Sequence, residues 1–131
     1  MQSGYVYLGN NVFNSLLAVS NAEQERGLMY QKPPTPVMSF IYPYPKQNRF
    51  WMSNTPSKLD IVFCCDNKVQ QICVGEPYST KIIGDVDSDL VIELPYGSVA
   101  SSNINIGDPA GLISPKIADL QKIMQQNLFK F

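Results

Sequence analysis

Between Val12 and Ile113 the chain sustains no long uninterrupted pattern. Short runs rich in β-branched and aromatic residues are cut by proline, glycine, asparagine and aspartate. Val12–Val19, Val37–Tyr42, Phe50–Met52, Leu59–Cys65, Val69–Val74, Ile82-Ile83 and Asp89–Leu94 read as strands, and Ile104–Ile113 as a last strand pair around a Gly107-Asp108 turn. Strands of this length, with turn signals every ~8–12 residues, predict a sandwich or barrel. The expected fold is therefore mainly β with some α: a compact antiparallel β-barrel-like or sandwich domain. One short helix interrupts it. Ser20 and Glu23 have capping-box spacing, and Gly27 suits a C-cap, so a helix runs from Ser20 to about Arg26. Gln31–Pro36 and the proline-broken stretch 43–49 read as loops.

Asp66-Asn67 is a two-residue hairpin turn, because both residues tolerate positive φ. An unbroken ladder then sets Cys64 opposite Val69 and Cys73 opposite Asp60. Cys64 and Cys73 would share a face four residues apart, roughly 13 Å at strand rise. A disulfide needs Cα atoms within about 7 Å, so none is expected.

The 131 residues suffice for a real core, expected as one β-rich domain over residues 1–113 and a helical extension over 114–131. In the extension, Ser114-Pro115 starts a helix that places Ile117, Leu120, Ile123, Met124 and Leu128 at helical spacing. Such a face packs on the sheet or docks on a partner. Ten basic and eleven acidic residues leave a net charge of −1 and no basic stripe, which gives nucleic-acid binding no support. No apolar run spans a membrane, and the N-terminal "MQSGYVYLGNN" lacks the charge and apolar core of a secretion signal, so a cytoplasmic location is expected. The chain has no histidine, which excludes Ser-His-Asp and Cys-His nucleophile systems. Three cysteines, Cys64, Cys65 and Cys73, form no CxxC and read as buried thiols in strands. No metal and no cofactor are expected.

Five phrases in order resemble one family: "ERGLMYQ" (25–31), "VMSFIY" (37–42), "FWMSNTPSKLDIVF" (50–63), "VIELPYG" (91–97) and "INIGD" (104–108). They are similar to the R-G-L-M-x-R, G-M-L-F-x-F, F-W-M-x-N-T-x-x-P-L-D-x-x-F, L-E-L-x-A-G and G-I-x-x-G-D signatures of the domain of unknown function 192 family. The resemblance covers about Leu16 to Asp108. It implies a compact β-rich, barrel-like fold with a short helix, and no reaction. The chain departs from the pattern at Val37 (usually glycine), Tyr96 (usually alanine) and Lys58 (usually proline). Its hairpin after Phe63 is one residue shorter than usual, and the helix beyond Ile113 lies outside the family domain. A histidine-free member with an added helix is similar to those carried by large tailed phages of cyanobacteria.

Asp60, between Leu59 and Ile61, is expected to be partly buried, and a buried carboxylate needs donors or a shifted pKa. Two readings remain open. Asp60 pins the "SNTPSK" turn, with Asn54, Thr55 and Ser57 as donors, or it floors a pocket walled by Trp51 and Met52. Glu93 sits in a similar apolar setting. If the two carboxylates meet, they form an acid/base pair or hold a hard cation, with Arg26 as their salt-bridge partner. Met29, Met38 and Met52 with Trp51, Phe40 and Phe50 read first as core and second as a ligand box.

The leading functional expectation is a non-catalytic binding or assembly module, extending to an accessory phage virion component. A protein partner or second copy would attach through the C-terminal helix (Ile117, Leu120, Met124, Leu128) or the 31–49 loop. The alternative is a small enzyme or carbohydrate-binding protein with a pocket around Trp51, Asn54, Asp60, Glu93 and Arg26.

Overall fold

The computed structural model describes residues 1–113. The expected C-terminal helix, with Ile117, Leu120, Met124 and Leu128, lies outside the described residues. Within 1–113 the fold is mainly β, as expected. In chain order it comprises β1 (Gln2–Leu8), β2 (Asn11–Ala18), α1 (Asn21–Arg26), β3 (Val37–Gln47), β4 (Leu59–Cys65), β5 (Lys68–Gly75), β6 (Asp87–Pro95), α2 (Ser98–Ser101) and β7 (Ala110–Ile113). They form one sheet of order β5-β4-β6-β3-β2-β1-β7. The pairs are antiparallel except β2–β3, which run parallel across the α1 crossover.

The sheet curls until its two ends meet. Val69 N–H donates to Asp108 O (2.9 Å), Ala110 N–H donates to Asn67 O (2.9 Å), and Lys68 bridges Pro109. Residues from both ends therefore share one core on the concave face: Val6 and Leu8 of β1, Val69 of β5 and Ala110 of β7, around Val62, Cys64, Leu90, Ile92 and Leu94. A second core lies on the opposite face. There Met38, Phe40, Leu59, Ile61, Phe63 and Val91 are covered by Leu28, Met52 and Ile83 from the connecting segments. β4 and β6 are thus buried on both faces, which their near-continuous apolar sequences require.

Local chemistry sets the element ends. Ser20 and Glu23 form the full capping box, and Gly27 is the C-cap. Asp66 and Asn67 both have positive φ (51° and 62°), as a tight hairpin demands.

Several expectations are corrected. A β-bulge between Phe63 and Cys64 shifts the ladder, so Cys73 faces Ile61, not Asp60. Cys64 and Cys73 then point to opposite faces, and all three cysteines are free thiols. Burial pushes the Cys64 thiol up to about 12, so it stays protonated and inert. Stretch 43–49 is not wholly loop: β3 continues through Pro43 and Pro45 to Gln47, the prolines lying where the register with β6 breaks between Ile41 and Lys46. Phe50–Met52 and Ile82-Ile83 form a single bridge between Phe50 and Ile83 rather than strands. Of Ile104–Ile113, only Ala110–Ile113 is strand, while β1 pairs β2 and β7 where no strand was expected. No helix among the described residues is long and apolar enough to cross a membrane.

Gly84 holds the covering segment against the sheet. It has φ +102°, and a Cβ there would stand 2.7 Å from Asn48 O and 2.7 Å from the Phe63 ring. Gly97 has a similar φ, +97°, but open space around it. Gly84→Ala is expected to cost about 3 kcal/mol by strain plus overpacking, and Gly97→Ala about 1 kcal/mol by strain alone. Urea unfolding of both variants checks the order; equal costs would contradict the packing account.

Candidate functional site

Asp60 and Glu93 sit on neighbouring strands, yet they do not meet. In the β4–β6 ladder Asp60 pairs Leu94, whereas Glu93 pairs Ile61. Adjacent positions alternate faces, so Asp60 joins the concave core and Glu93 the opposite one. This corrects the expectation of a shared site for the two carboxylates, and with it the acid/base pair and the shared cation.

Asp60 is structural, with donors other than those expected. Its Oδ2 accepts the backbone N–H groups of Gly97 (3.0 Å) and Val99 (2.9 Å), which fixes the start of α2 against the sheet. The "SNTPSK" turn satisfies itself elsewhere. Thr55 Oγ1 donates to Ser53 O (3.2 Å), Ser57 Oγ donates to Gln31 O (2.8 Å), and Tyr30 N–H donates to Asn54 O (2.8 Å). These bonds clip the segment after α1 to the segment after Trp51.

That clip builds a cavity of about 220 Å³ over the second core. One wall is the end of α1 with Gln24, Glu25, Arg26, Gly27 and Met29. Gln24 Nε2 anchors this wall by donating to Ile41 O (2.9 Å) and Ala18 O (3.2 Å). The other wall carries Arg49, Phe50, Trp51 and Thr55. Phe50 is locked by backbone bonds to Ile83 (2.8 and 2.7 Å) and by edge-on contacts with Phe40 (4.8 Å) and Phe63 (5.7 Å). Trp51 is half exposed at the mouth. The floor is Phe40, Tyr42 and Glu93.

Glu93 is the unusual group. It is only 4% exposed, and its carboxyl makes no hydrogen bond or ion pair among the described residues. Every fully enclosed side-chain nitrogen or oxygen among those residues has a partner, so the Glu93 oxygens must open on the cavity. Burial raises its pKa from 4.5 to about 8, so Glu93 is largely neutral at pH 7 and offers an O–H donor. Burial, then the nearby Glu93 charge, also raises the pKa of Tyr42.

Of the expected site residues, the cavity gathers Trp51, Glu93 and Arg26; Asn54 and Asp60 lie outside it. Arg26 makes no ion pair among the described residues, which corrects its expected role as salt-bridge partner. The aromatic-methionine set divides: Met38 and Met52 are core, while Met29, Phe40, Phe50 and Trp51 line the cavity. Sequence reasoning missed Tyr42 and Arg49. Strand alternation from Met38 and Phe40 places Tyr42 on the cavity face, and that signal was legible. Arg49 had no such signal.

The profile of the DUF192 family, "Uncharacterized ACR", matches residues 7–111. The chain belongs to the DUF192 family. Two solved structures are similar to it. A protein of unknown function from Novosphingobium aromaticivorans DSM 12444 is 31% identical, with a TM-score of 0.79 over 85% of this chain and 86% of its own. A protein from Sinorhizobium meliloti 1021, named as a candidate transcription regulator, is 27% identical, with a TM-score of 0.79 over 85% of this chain and 94% of its own. No match was found among curated proteins. Both neighbours are bacterial, and neither bears on a phage origin.

Two departures from the DUF192 pattern meet in space. Lys58, where proline is usual, places its Nζ 4.0 Å from the ring centre of Tyr96, where alanine is usual. The pair makes a cation–π contact between the start of β4 and the residue after β6.

The two buried carboxylates are separable by experiment. Asp60→Ala orphans two amides and is expected to cost about 3 kcal/mol. Glu93→Gln should act with the opposite sign. Folded Glu93 holds its proton up to about pH 8 while the unfolded chain releases it near 4.5, so native stability falls as pH rises between these values. Glu93→Gln lacks that proton linkage: it should match the native protein near pH 4 and exceed it by about 5 kcal/mol above pH 8. Thermal unfolding across pH measures this; a native protein with flat stability over that window would refute the assignment.

Proposed function

We propose that this DUF192 protein is a non-catalytic binding module whose cavity takes a small polar ligand of about monosaccharide size. The observation that carries the reading is convergence. Four of the five stretches that relate the chain to its family supply the cavity lining: Glu25–Met29, Phe40 with Tyr42, Phe50 with Trp51 and Thr55, and Glu93. Residues far apart in sequence meet around one unpartnered carboxyl, a costly arrangement that packing alone does not require.

The chemistry narrows the ligand. A half-exposed indole at the mouth offers a flat apolar face, and Glu93 and the two arginines offer directional polar groups, a combination that suits a sugar ring. The volume lies below the ~300–1,000 Å³ of drug-sized sites, which limits the ligand to about one ring. Support for a binder over an enzyme is the lining itself. Its one hydroxyl-bearing aliphatic residue, Thr55, already donates to a backbone carbonyl, and among the described residues no Ser, Thr or Cys nucleophile with an adjacent base faces the space.

Trp51 is the chain's only tryptophan, so its emission reports this cavity directly. A monosaccharide panel is expected to shift Trp51 emission and raise Tm. Trp51→Ala, at a half-exposed position, should cost under about 1 kcal/mol of stability and remove the ligand-induced Tm rise. A Tm rise that persists in Trp51→Ala would move the site elsewhere.

A further inference from the structure

We propose that the ligand carries a carboxylate, held between the Arg26 guanidinium and the Glu93 carboxyl group while its ring lies against Trp51. This rests on the binding reading above and adds the chemical class of the ligand.

Three observations support it. First, Arg26 stands exposed on the cavity wall with no ion pair or hydrogen bond among the described residues, so its planar pair of donors is open to a carboxylate. Second, the Glu93 oxygens have no partner among the described residues and open on the same space, where a ligand can reach them. Third, Gly27, which follows Arg26, lies directly beside the Glu93 carboxyl group, so the two groups border the same space. A Cβ at that position would stand 3.8 Å from Glu93 Oε1 and 3.4 Å from the Phe40 ring.

The charges around Glu93 favour an anion. α1 contributes Arg26 and Glu25, the segment before Trp51 contributes Arg49, and β3 contributes Tyr42, with Lys46 Nζ 5.5 Å from the Tyr42 ring centre. With Glu93 neutral, the two guanidinium groups of the lining face a single carboxylate, that of Glu25. Burial keeps Glu93 protonated to about pH 8, so it can donate its proton to a ligand carboxylate rather than repel it. The C-terminal end of α1 opposes an anion only weakly, because the helix has six residues and its Glu23 and Arg26 carbonyls already accept bonds from Gly27 and Met29.

Three sugars test the proposal by Trp51 emission on the full chain: glucose, and glucuronate and glucosamine, each of which differs from glucose in one group. At pH about 6, glucuronate is expected to bind at least about tenfold more tightly than the other two, the scale of one charge-assisted contact. Its affinity should fall as pH rises through about 8, where Glu93 ionises. Arg26→Ala should erase the preference for glucuronate over glucose. Glu93→Gln, which keeps a neutral donor, should flatten the pH profile, a result that a purely structural role for Glu93 would not give. Equal binding of glucuronate and glucose overturns the carboxylate clamp and leaves the binding reading standing. Preference for glucosamine overturns it in favour of an ionised Glu93 in an aromatic cage. No binding of any of the three overturns both readings.

Discussion

The β4–β6 pair is buried on both faces, and the rest of the molecule is arranged by that constraint. A strand with two covered faces has no solvent side to which a polar residue can be sent. The pair nevertheless carries one carboxylate on each face, Asp60 and Glu93, and each is accommodated differently. Asp60 keeps backbone donors from Gly97 and Val99, and the start of α2 is positioned by that demand. Glu93 has no donor among the described residues and is accommodated by protonation and by the cavity above it. One carboxylate is therefore part of the frame, and the other is a group held in reserve.

The cavity depends on two layers of support. The aromatic stack of Phe40, Phe50 and Phe63 sets its base, and the clip between residues 30–31 and 54–57 sets the distance between its walls. The polar groups that face it, Arg26, Arg49, Thr55 and Glu93 among them, come from both walls and from the floor.

The sequence was most legible where local chemistry acts alone. The capping box at Ser20 and Glu23, the Gly27 stop, the Asp66-Asn67 turn and the bounds of β4 all follow from backbone rules over four to eight residues. It was least legible where partners are distant. The bulge that moves Cys73 from Asp60 to Ile61 lies in the pairing of β4 with β5, whose other edge closes on the segment before β7. β1 escaped notice because its glycine and tyrosines break a clear alternation, and it is a strand because β2 and β7 flank it. Its neighbours, rather than its own propensity, decide its state.

The sequence by itself determined a β-rich chain with one capped helix, no histidine-based chemistry, and two acidic residues set in apolar runs that had to be explained. It also named Trp51, Glu93 and Arg26 as residues to watch. Only the tertiary structure decided that Glu93 and Asp60 face opposite ways, that Asp60 is satisfied by amides nearly forty residues distant, and that Arg26, Trp51 and Glu93 line one cavity. The physical reason is register. Side-chain direction in a sheet inverts with a shift of one residue, and the ladder between β4 and β6 is set by how the whole sheet closes, which no local stretch encodes.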